Sequence, residues 1–337
     1  RRGHAERVIR MAAYILRRLG AGILVLVVGL FFLYILVSLS GNPLANLLSN
    51  PRISPATINA ARIELHLNEP LLSRYWTWVT GLLHGNFGTS TLGQPVAQQI
   101  WPRMWVTLQL VIPAVIISVL LGIGLGVTSA VRQYSVLDHV STAFAYFFFA
   151  TPVFVVGILL KDFLAVKLDN AVGHTVLYTV GQNSPGTTGV WSIFTDALAH
   201  SVLPILTLVL ITYASWSRYQ RASMLDVLNA DYVRLARAKG LARRRVLYVH
   251  ALRNAMIPVT TIIAVDFATI LGGTLITEIV FGWEGMGRWL YEALVGPVTP
   301  DVNVVMAYLV VVATLFVIFN LIADILYGVL DPRIRLA

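Results

Sequence analysis

Cysteine is absent from the 337 residues, which excludes disulfides and thiolate chemistry and leaves the redox compartment open. Charge is also scarce, because Asp, Glu, Lys and Arg make up 12% of the chain while 57% is hydrophobic. Soluble domains carry about 25% charged residues, so this composition predicts an all-α, polytopic membrane protein. The net charge of +9 does not indicate nucleic-acid binding, since the basic residues cluster between the apolar segments.

Motifs that bind phosphates or metals, or that carry a nucleophile, are missing as well. A Walker loop needs Gly-Lys followed by Ser or Thr, but only three lysines occur, and Leu160, Val166 and Ala238 precede them. The sequence contains no His-Glu-x-x-His or Gly-x-Ser-x-Gly motif, and its seven histidines lack metal-ligand spacing. We therefore expect no catalytic residue, no cofactor site and no metal site in this chain.

Long apolar runs are what the sequence does have, and six of them can cross about 30 Å of hydrocarbon. They are predicted at residues 19–39, 107–131, 141–166, 200–216, 256–281 and 303–330. A mixed, partly polar insert lies between the first and second runs. The predicted organisation is a tail at 1–18, transmembrane helix one at 19–39, the insert at 40–100, and a five-helix core at 101–337.

The distribution of basic residues predicts the orientation of these spans. Eighteen of the 25 Lys and Arg residues lie in the N-terminal tail, at 132–139, at 218–253 and in the C-terminal tail. Loops rich in Lys and Arg stay in the cytoplasm. Six spans then place both termini inside and the insert at 40–100 outside.

The most informative loop is 218–253, which holds nine Lys or Arg residues and two acids. A break is predicted near Asn229, with Asp231 as the N-cap of a second, short helix. Gly240 is its predicted end, since glycine adopts a left-handed conformation at low cost. The result is a rod of about two turns over Tyr232–Lys239, roughly 12 Å long, suited to docking into a groove of another protein. Helical spacing also predicts one shared apolar face, made by Met224, Leu228, Tyr232 and Leu235.

The segment YVRLARAKGL, followed by HALRNAMIP, resembles the signature loop of the membrane subunits of binding-protein-dependent ABC importers, and most closely that of the dipeptide and oligopeptide permeases. The family signature is Glu-Ala-Ala, three residues, then Gly; counting back from Gly240, this chain has Arg234-Leu235-Ala236. The stretch 277–290 and the ending 331–335 also resemble this family. From the loop alone, an ordinary basic loop that follows the positive-inside rule is the alternative.

The resemblance implies that the rod is a coupling helix, which lies in a cleft of an ATP-hydrolysing subunit. The coupling residues implied are Asp231, Tyr232, Arg234, Ala236, Ala238, Lys239 and Gly240. Two acids, Asp266 and Glu278, are candidates for the substrate path. A charge at the centre of a span costs about 2.5–3.5 kcal/mol, so the alternative for Asp266 is a buried, hydrogen-bonded or protonated acid.

The function that the resemblance implies is oligopeptide import across a bacterial cell membrane by alternating access. The implied partners are a second homologous permease, two ABC ATPase subunits that bind ATP and Mg²⁺, an extracytoplasmic peptide-binding protein, membrane lipid and the peptide substrate. A nickel- or glutathione-type importer permease is an alternative within the family. A stand-alone secondary transporter, which would show inverted repeats and several intramembrane ionisable groups, and a scaffold or receptor subunit are alternatives from other classes.

Overall fold

The computed structural model describes residues 2–42, 44–49, 52–64, 66–296 and 300–330, and the ending 331–335 lies outside these ranges. Within them, the regular structure is helical, apart from an isolated bridge between Thr89 and Pro95. The helices are α1 (Arg2–Leu39), α2 (Ala45–Ser49), α3 (Pro55–Glu64), α4 (Leu71–Leu83), α5 (Val96–Val131), α6 (Val136–Ala150), α7 (Val153–Leu160), α8 (Lys167–Val172), α9 (Val190–Leu228), α10 (Asp231–Ala238), α11 (Arg243–Arg245), α12 (Arg253–Phe281), α13 (Met286–Val295) and α14 (Val302–Leu330). Two π-helical stretches, Lys161–Val166 and Val246–Leu252, join α7 to α8 and α11 to α12.

In the described part of the chain, five helices are long and apolar enough to cross a membrane, and a sixth span forms if the bent pair Val136–Ala150 and Val153–Val172 is counted as one. The helix axis changes direction by 111° between the two parts of that pair. The bend lies at Thr151 and Pro152, because proline lacks the N–H group that a helix needs and disfavours a helical residue before it. The predicted all-α membrane fold is confirmed, with five or six spans.

Helices α1, α5 and α9 are much longer than the predicted spans. α5 has 36 residues and α9 has 39, so at 1.5 Å per residue they measure about 54 and 58 Å. The predicted segments 107–131 and 200–216 cover only their most apolar parts. The predicted boundary between insert and core at residue 100 is therefore wrong, since it falls inside α5.

The chain divides into two compact units. One unit comprises 20–108 and 284–317, which include the predicted insert. In this unit the aromatic rings of Tyr34 and Trp78 pack with Met306 in a buried cluster. Asp301 accepts hydrogen bonds from the backbone N–H and the hydroxyl of Thr91, at 2.7 and 2.9 Å. The insert is thus a folded part of this unit.

The other unit comprises 1–19, 109–283 and 318–337, and in it α9 packs along both α6 and α12. Glycines on α5 allow its close approach to α9. A Cβ atom at Gly126 would lie 2.7 Å from the Cβ of Gln220, and one at Gly122 would lie 3.0 Å from the Cβ of Trp216. Gly124 has open space instead, because residues four apart share a helix face and residues two apart do not.

Candidate functional site

The short helix predicted in the basic loop is α10, and its start differs from the prediction in one detail. The predicted break is confirmed, since α9 ends at Leu228 and α10 begins at Asp231. The prediction that Asp231 is the N-cap is wrong, because Ala230 occupies that position and no side chain caps the helix. Asp231 is instead the first helical residue, where a negative charge interacts favourably with the helix dipole.

The end of α10 is the predicted glycine turn. Gly240 has a φ of +73°, in the left-handed region. Its N–H donates to the carbonyl of Arg237 at 3.0 Å, and the N–H of Leu241 donates to the carbonyl of Ala236 at 3.4 Å. This pair of bonds is a Schellman motif, which satisfies carbonyl groups at the helix end and holds the rod at a length of eight residues.

The two faces of α10 differ sharply. Val233 is fully buried and Ala236 is 6% exposed, whereas Tyr232 is 43% and Leu235 is 55% exposed. The prediction that Tyr232 and Leu235 share one apolar face with Met224 is wrong, since Met224 is fully buried whereas the other two side chains are exposed. The break after Leu228 resets the helical phase, so spacing counted across it does not define one face.

The buried face of α10 is anchored in a hydrophobic cluster formed by several elements of the same unit. Val233 and Ala236 pack there with Val127, Ala130, Met224, Val246, Ala251 and Ala255. These partners belong to α5, α9, the π-helical stretch before α12, and α12 itself. A force applied to α10 is therefore transmitted to three long helices.

Six of the seven predicted coupling residues are exposed: Asp231, Tyr232, Arg234, Ala238, Lys239 and Gly240. The seventh, Ala236, faces the hydrophobic cluster of its own chain. The predicted list did not include Val233, which is buried in this cluster, or Leu235, the exposed apolar side chain at the centre of α10. The exposed ion pair of Arg234 with Asp231, at 4.0 Å, contributes only about 0–1 kcal/mol, so both charges are available to a partner.

The two candidate acids of the substrate path lie on α12, twelve residues and roughly 18 Å apart. The indole N–H of Trp216, on α9, donates to Oδ2 of Asp266 at 2.8 Å. Trp216 is buried and Asp266 partly so. Glu278 is fully buried, and its carbonyl accepts from the N–H of Trp283 at 2.8 Å in the turn that ends α12.

Sequence reasoning also missed a partly buried ion pair between Asp138 at the start of α6 and Arg221 on α9. The two residues are 83 positions apart, so no local spacing could connect them. A signal was nonetheless present in the sequence, because Asp138 is an acid close to an apolar segment, in the short stretch 132–139 that also holds Arg132.

These features define a polytopic α-helical membrane subunit that presents one short, anchored helix outside its apolar spans. The sequence profile described as binding-protein-dependent transport system inner membrane component matches residues 122–336. A second profile, for the N-terminal part of such membrane components, matches residues 11–111. The chain belongs to this family of inner-membrane transport components.

Curated relatives match over nearly the whole chain. The oligopeptide transport system permease protein OppB of Mycobacterium tuberculosis is 40% identical over 329 residues, covering 97% of this chain and 100% of the relative. The dipeptide transport system permease protein DppB of Escherichia coli is 37% identical over 339 residues, covering 96% and 99%. The oligopeptide transport system permease protein AppB of Bacillus subtilis is 37% identical over 328 residues, covering 96% and 100%. Among solved structures, an amino acid ABC transporter covers 69% of this chain and 92% of its own, with 14% identity and a TM-score of 0.45.

Membership of this family identifies the chain as a permease subunit of an ABC importer in a bacterial inner membrane. Such a subunit is not an enzyme, and ATP is bound and hydrolysed in separate ATPase subunits. A permease of this kind works with ATPase subunits, a second permease and a substrate-binding protein.

Proposed function

We propose that this chain forms half of the translocation pathway of an ATP-driven importer for oligopeptides. The names of its relatives support a peptide substrate, since they are permeases of oligopeptide and dipeptide systems. The nickel- or glutathione-type alternative finds no support among these relatives. A stand-alone secondary transporter is not favoured, because family members depend on separate ATPase subunits.

In the proposed complex, this chain pairs with a second homologous permease, and two ATPase subunits bind on the cytoplasmic side. A peptide-binding protein docks outside. Both termini and α10 lie in the cytoplasm, and the insert at 40–100 lies outside. The support for this orientation is the distribution of charge, with 18 of 25 Lys and Arg residues on the same side as α10.

The observation that carries this proposal is the contrast between the two faces of α10. Val233 and Ala236 fix the helix to its own bundle, while Tyr232 and Leu235 face outward. Arg234 and Lys239 lie beside this apolar face and are exposed. The surface therefore fits a groove with an apolar floor and an acidic rim, which is the kind of surface that we propose on the ATPase subunit.

Transport in this proposal proceeds by alternating access. ATP binding closes the ATPase pair, α10 moves with it, and the hydrophobic cluster passes the movement to α5, α9 and α12. The bundle then opens outward and receives peptide from the binding protein. Nucleotide must interact with the two conformations with different free energy, since otherwise ATP would shift no population.

Asp266 is the acid that we propose for the substrate path. Its hydrogen bond with Trp216 orients the carboxylate, and a carboxylate attracts the amino terminus of a peptide. Glu278 has a different proposed role, because it is fully buried. It supports the turn after α12 at the mouth of the path.

Cysteine cross-linking tests the docking of α10, because the chain has no native cysteine. Leu235→Cys carries a benzophenone maleimide in the assembled complex, and illumination is expected to join it to an ATPase subunit. Val136→Cys is the matched control, since Val136 is 80% exposed and lies at the start of α6, on the same side as α10 in the proposed topology. Adducts at position 136 but not at position 235 would contradict the proposal.

A further inference from the structure

A partly buried ion pair joins α6 to α9, about two turns before the end of α9. Arg221 donates from Nε to Oδ1 of Asp138 at 2.8 Å and from Nη2 to Oδ2 at 2.9 Å. Asp138 is only 3% exposed. A bidentate pair of this kind fixes both the separation and the relative direction of its two side chains, so α6 and α9 are held in one register here.

The same carboxylate also holds the end of α5. The hydroxyl of Ser129, on α5, donates to Oδ1 of Asp138, and the N–H of Tyr134 donates to Oδ2 at 2.9 Å. Ser129 is itself buried. Asp138 therefore connects α5, the turn at 132–135, α6 and α9 through a single side chain.

The position of Arg221 along α9 gives this connection its mechanical relevance. From Arg221 to the end of α9 at Leu228 the helix continues for about two turns, and α10 begins at Asp231. Near Arg221, the hydroxyl of Ser223 donates to the carbonyl of Ala255 on α12 at 2.8 Å. Arg221 thus lies on a continuous rigid segment that leads to the base of α10.

The hydrophobic cluster beneath α10 does not connect α10 to α6. Among the described residues, the cluster draws on α5, α9, α10, α12 and their connections, and none of its members comes from α6. The ion pair is therefore a polar connection between α6 and the α9–α10 segment at this end of the unit, next to the contacts of Arg218 on α9 with the rings of Tyr146 and Phe149 on α6. The other end of α6 leads directly into the 111° bend and α7.

Stability alone does not explain such a pair. Replacing a buried ion pair by apolar residues of similar volume is often neutral or stabilising, because desolvation offsets the attraction between the charges. What apolar packing cannot reproduce is the fixed direction of two parallel hydrogen bonds. The contribution of this pair is therefore the fixed geometry that it gives to the contact between α6 and α9.

We infer that Asp138 and Arg221 are positioning residues that carry the movement of α10 to α6. The inference rests on the proposed function, since without an ATPase subunit on α10 there is no movement to carry. In the parent complex α6 and α10 then move together when nucleotide binds. Without the ion pair, α10 still follows the ATPase subunit but α6 lags behind.

Spin labels test this directly in the full complex, again because the chain lacks cysteine. Labels are attached at Val140→Cys on α6 and Arg237→Cys on α10, both exposed positions. Double electron–electron resonance measures their separation without nucleotide and with trapped ATP and vanadate. We expect one distribution in both states of the parent, and a shifted or broadened distribution in the trapped state of Asp138→Asn.

ATP hydrolysis supplies a second readout, which a purely structural role would not affect selectively. Asp138→Asn and Arg221→Gln should assemble and keep basal hydrolysis at the parent rate. Stimulation of hydrolysis by the binding protein with a tryptic casein digest should fall at least about fivefold, the lower end of typical coupling factors. Asp226→Asn and Arg132→Gln are the matched controls, because each removes the same charge from an exposed position.

The inference would be overturned if Asp138→Asn showed the parent's spin-label distances and the parent's stimulation of ATP hydrolysis in a complex that still cross-links at position 235. A parent complex that shows no such cross-link would overturn the proposed function instead. If Asp138→Asn does not assemble, Arg221→Lys decides, since it keeps the charge and removes the bidentate geometry. Parent-like distances and stimulation in Arg221→Lys would also refute the positioning role.

Discussion

The two faces of α10 predict opposite consequences for two conservative truncations. Val233→Ala removes two methyl groups from a fully buried position. At about 0.8 kcal/mol for each group, with a further cost for the cavity, the loss is about 2 kcal/mol. If α10 opens locally, this loss raises its opening equilibrium roughly 30-fold. Leu235→Ala removes more carbon from a position that is 55% exposed, and should barely change the opening of α10.

Hydrogen–deuterium exchange of the backbone amides at 231–241 measures this opening in the purified permease pair. Exchange should accelerate roughly 30-fold in Val233→Ala and stay at the parent rate in Leu235→Ala. The affinity for the ATPase subunits should show the reverse order, with the larger loss in Leu235→Ala. Faster exchange in Leu235→Ala than in Val233→Ala would refute the assignment of the anchoring and docking faces.

Three further predictions concern helix packing, the acid of the substrate path and the end of α10. Gly126→Val should lower the thermal unfolding temperature of the purified complex, because overpacking costs about 1–3 kcal/mol, whereas Gly124→Val has open space and should not; equal shifts would contradict the contact between α5 and α9. Asp266→Asn keeps an acceptor for its indole partner but removes the charge, so uptake of radiolabelled tri-alanine by the assembled complex should fall about tenfold, for a loss of about 1.4 kcal/mol; unchanged uptake would assign this acid to packing alone. Gly240→Ala should speed amide exchange in α10, since a Cβ in the left-handed region costs about 1–2 kcal/mol. Gly240→Asn should speed this exchange less, because asparagine tolerates the left-handed region better than alanine. Identical exchange rates in the two variants would show that the turn does not depend on φ.

The sequence predicted best what depends on composition over many residues. Apolar runs indicated the spans, because hydrocarbon thickness acts regardless of tertiary context. The break at Pro152 was not predicted, since the run 141–166 predicts one span. The end of α10 at Gly240 was predictable for a local reason. The helix boundaries could not be predicted in this way, since α5 and α9 continue beyond their apolar parts, where neighbouring helices support them.

The candidate site was harder to predict because its features depend on tertiary contacts. Val233 was not recognised as an anchor, since its burial comes from partners on α5, α9 and α12 that are distant in sequence. The partner of Asp138 is 83 residues away, and the partner of Asp266 is 50 residues away. Resemblance to the family pointed to the loop that contains α10, but burial was needed to separate the residues that hold α10 from those that are exposed.

Anchoring also explains how a helix as short as α10 can serve as a rigid docking element. Isolated helices shorter than about 12–15 residues are marginal in water, and α10 has eight residues. Its helical state therefore depends on the buried contacts of Val233 and Ala236 and on the turn at Gly240. Because these interactions lie within the permease, Tyr232 and Leu235 are already placed before any ATPase subunit binds. In the proposed complex, docking then avoids the entropy cost of ordering a loop, which would otherwise weaken the contact, and a movement of the ATPase subunit would displace a formed helix rather than fold one.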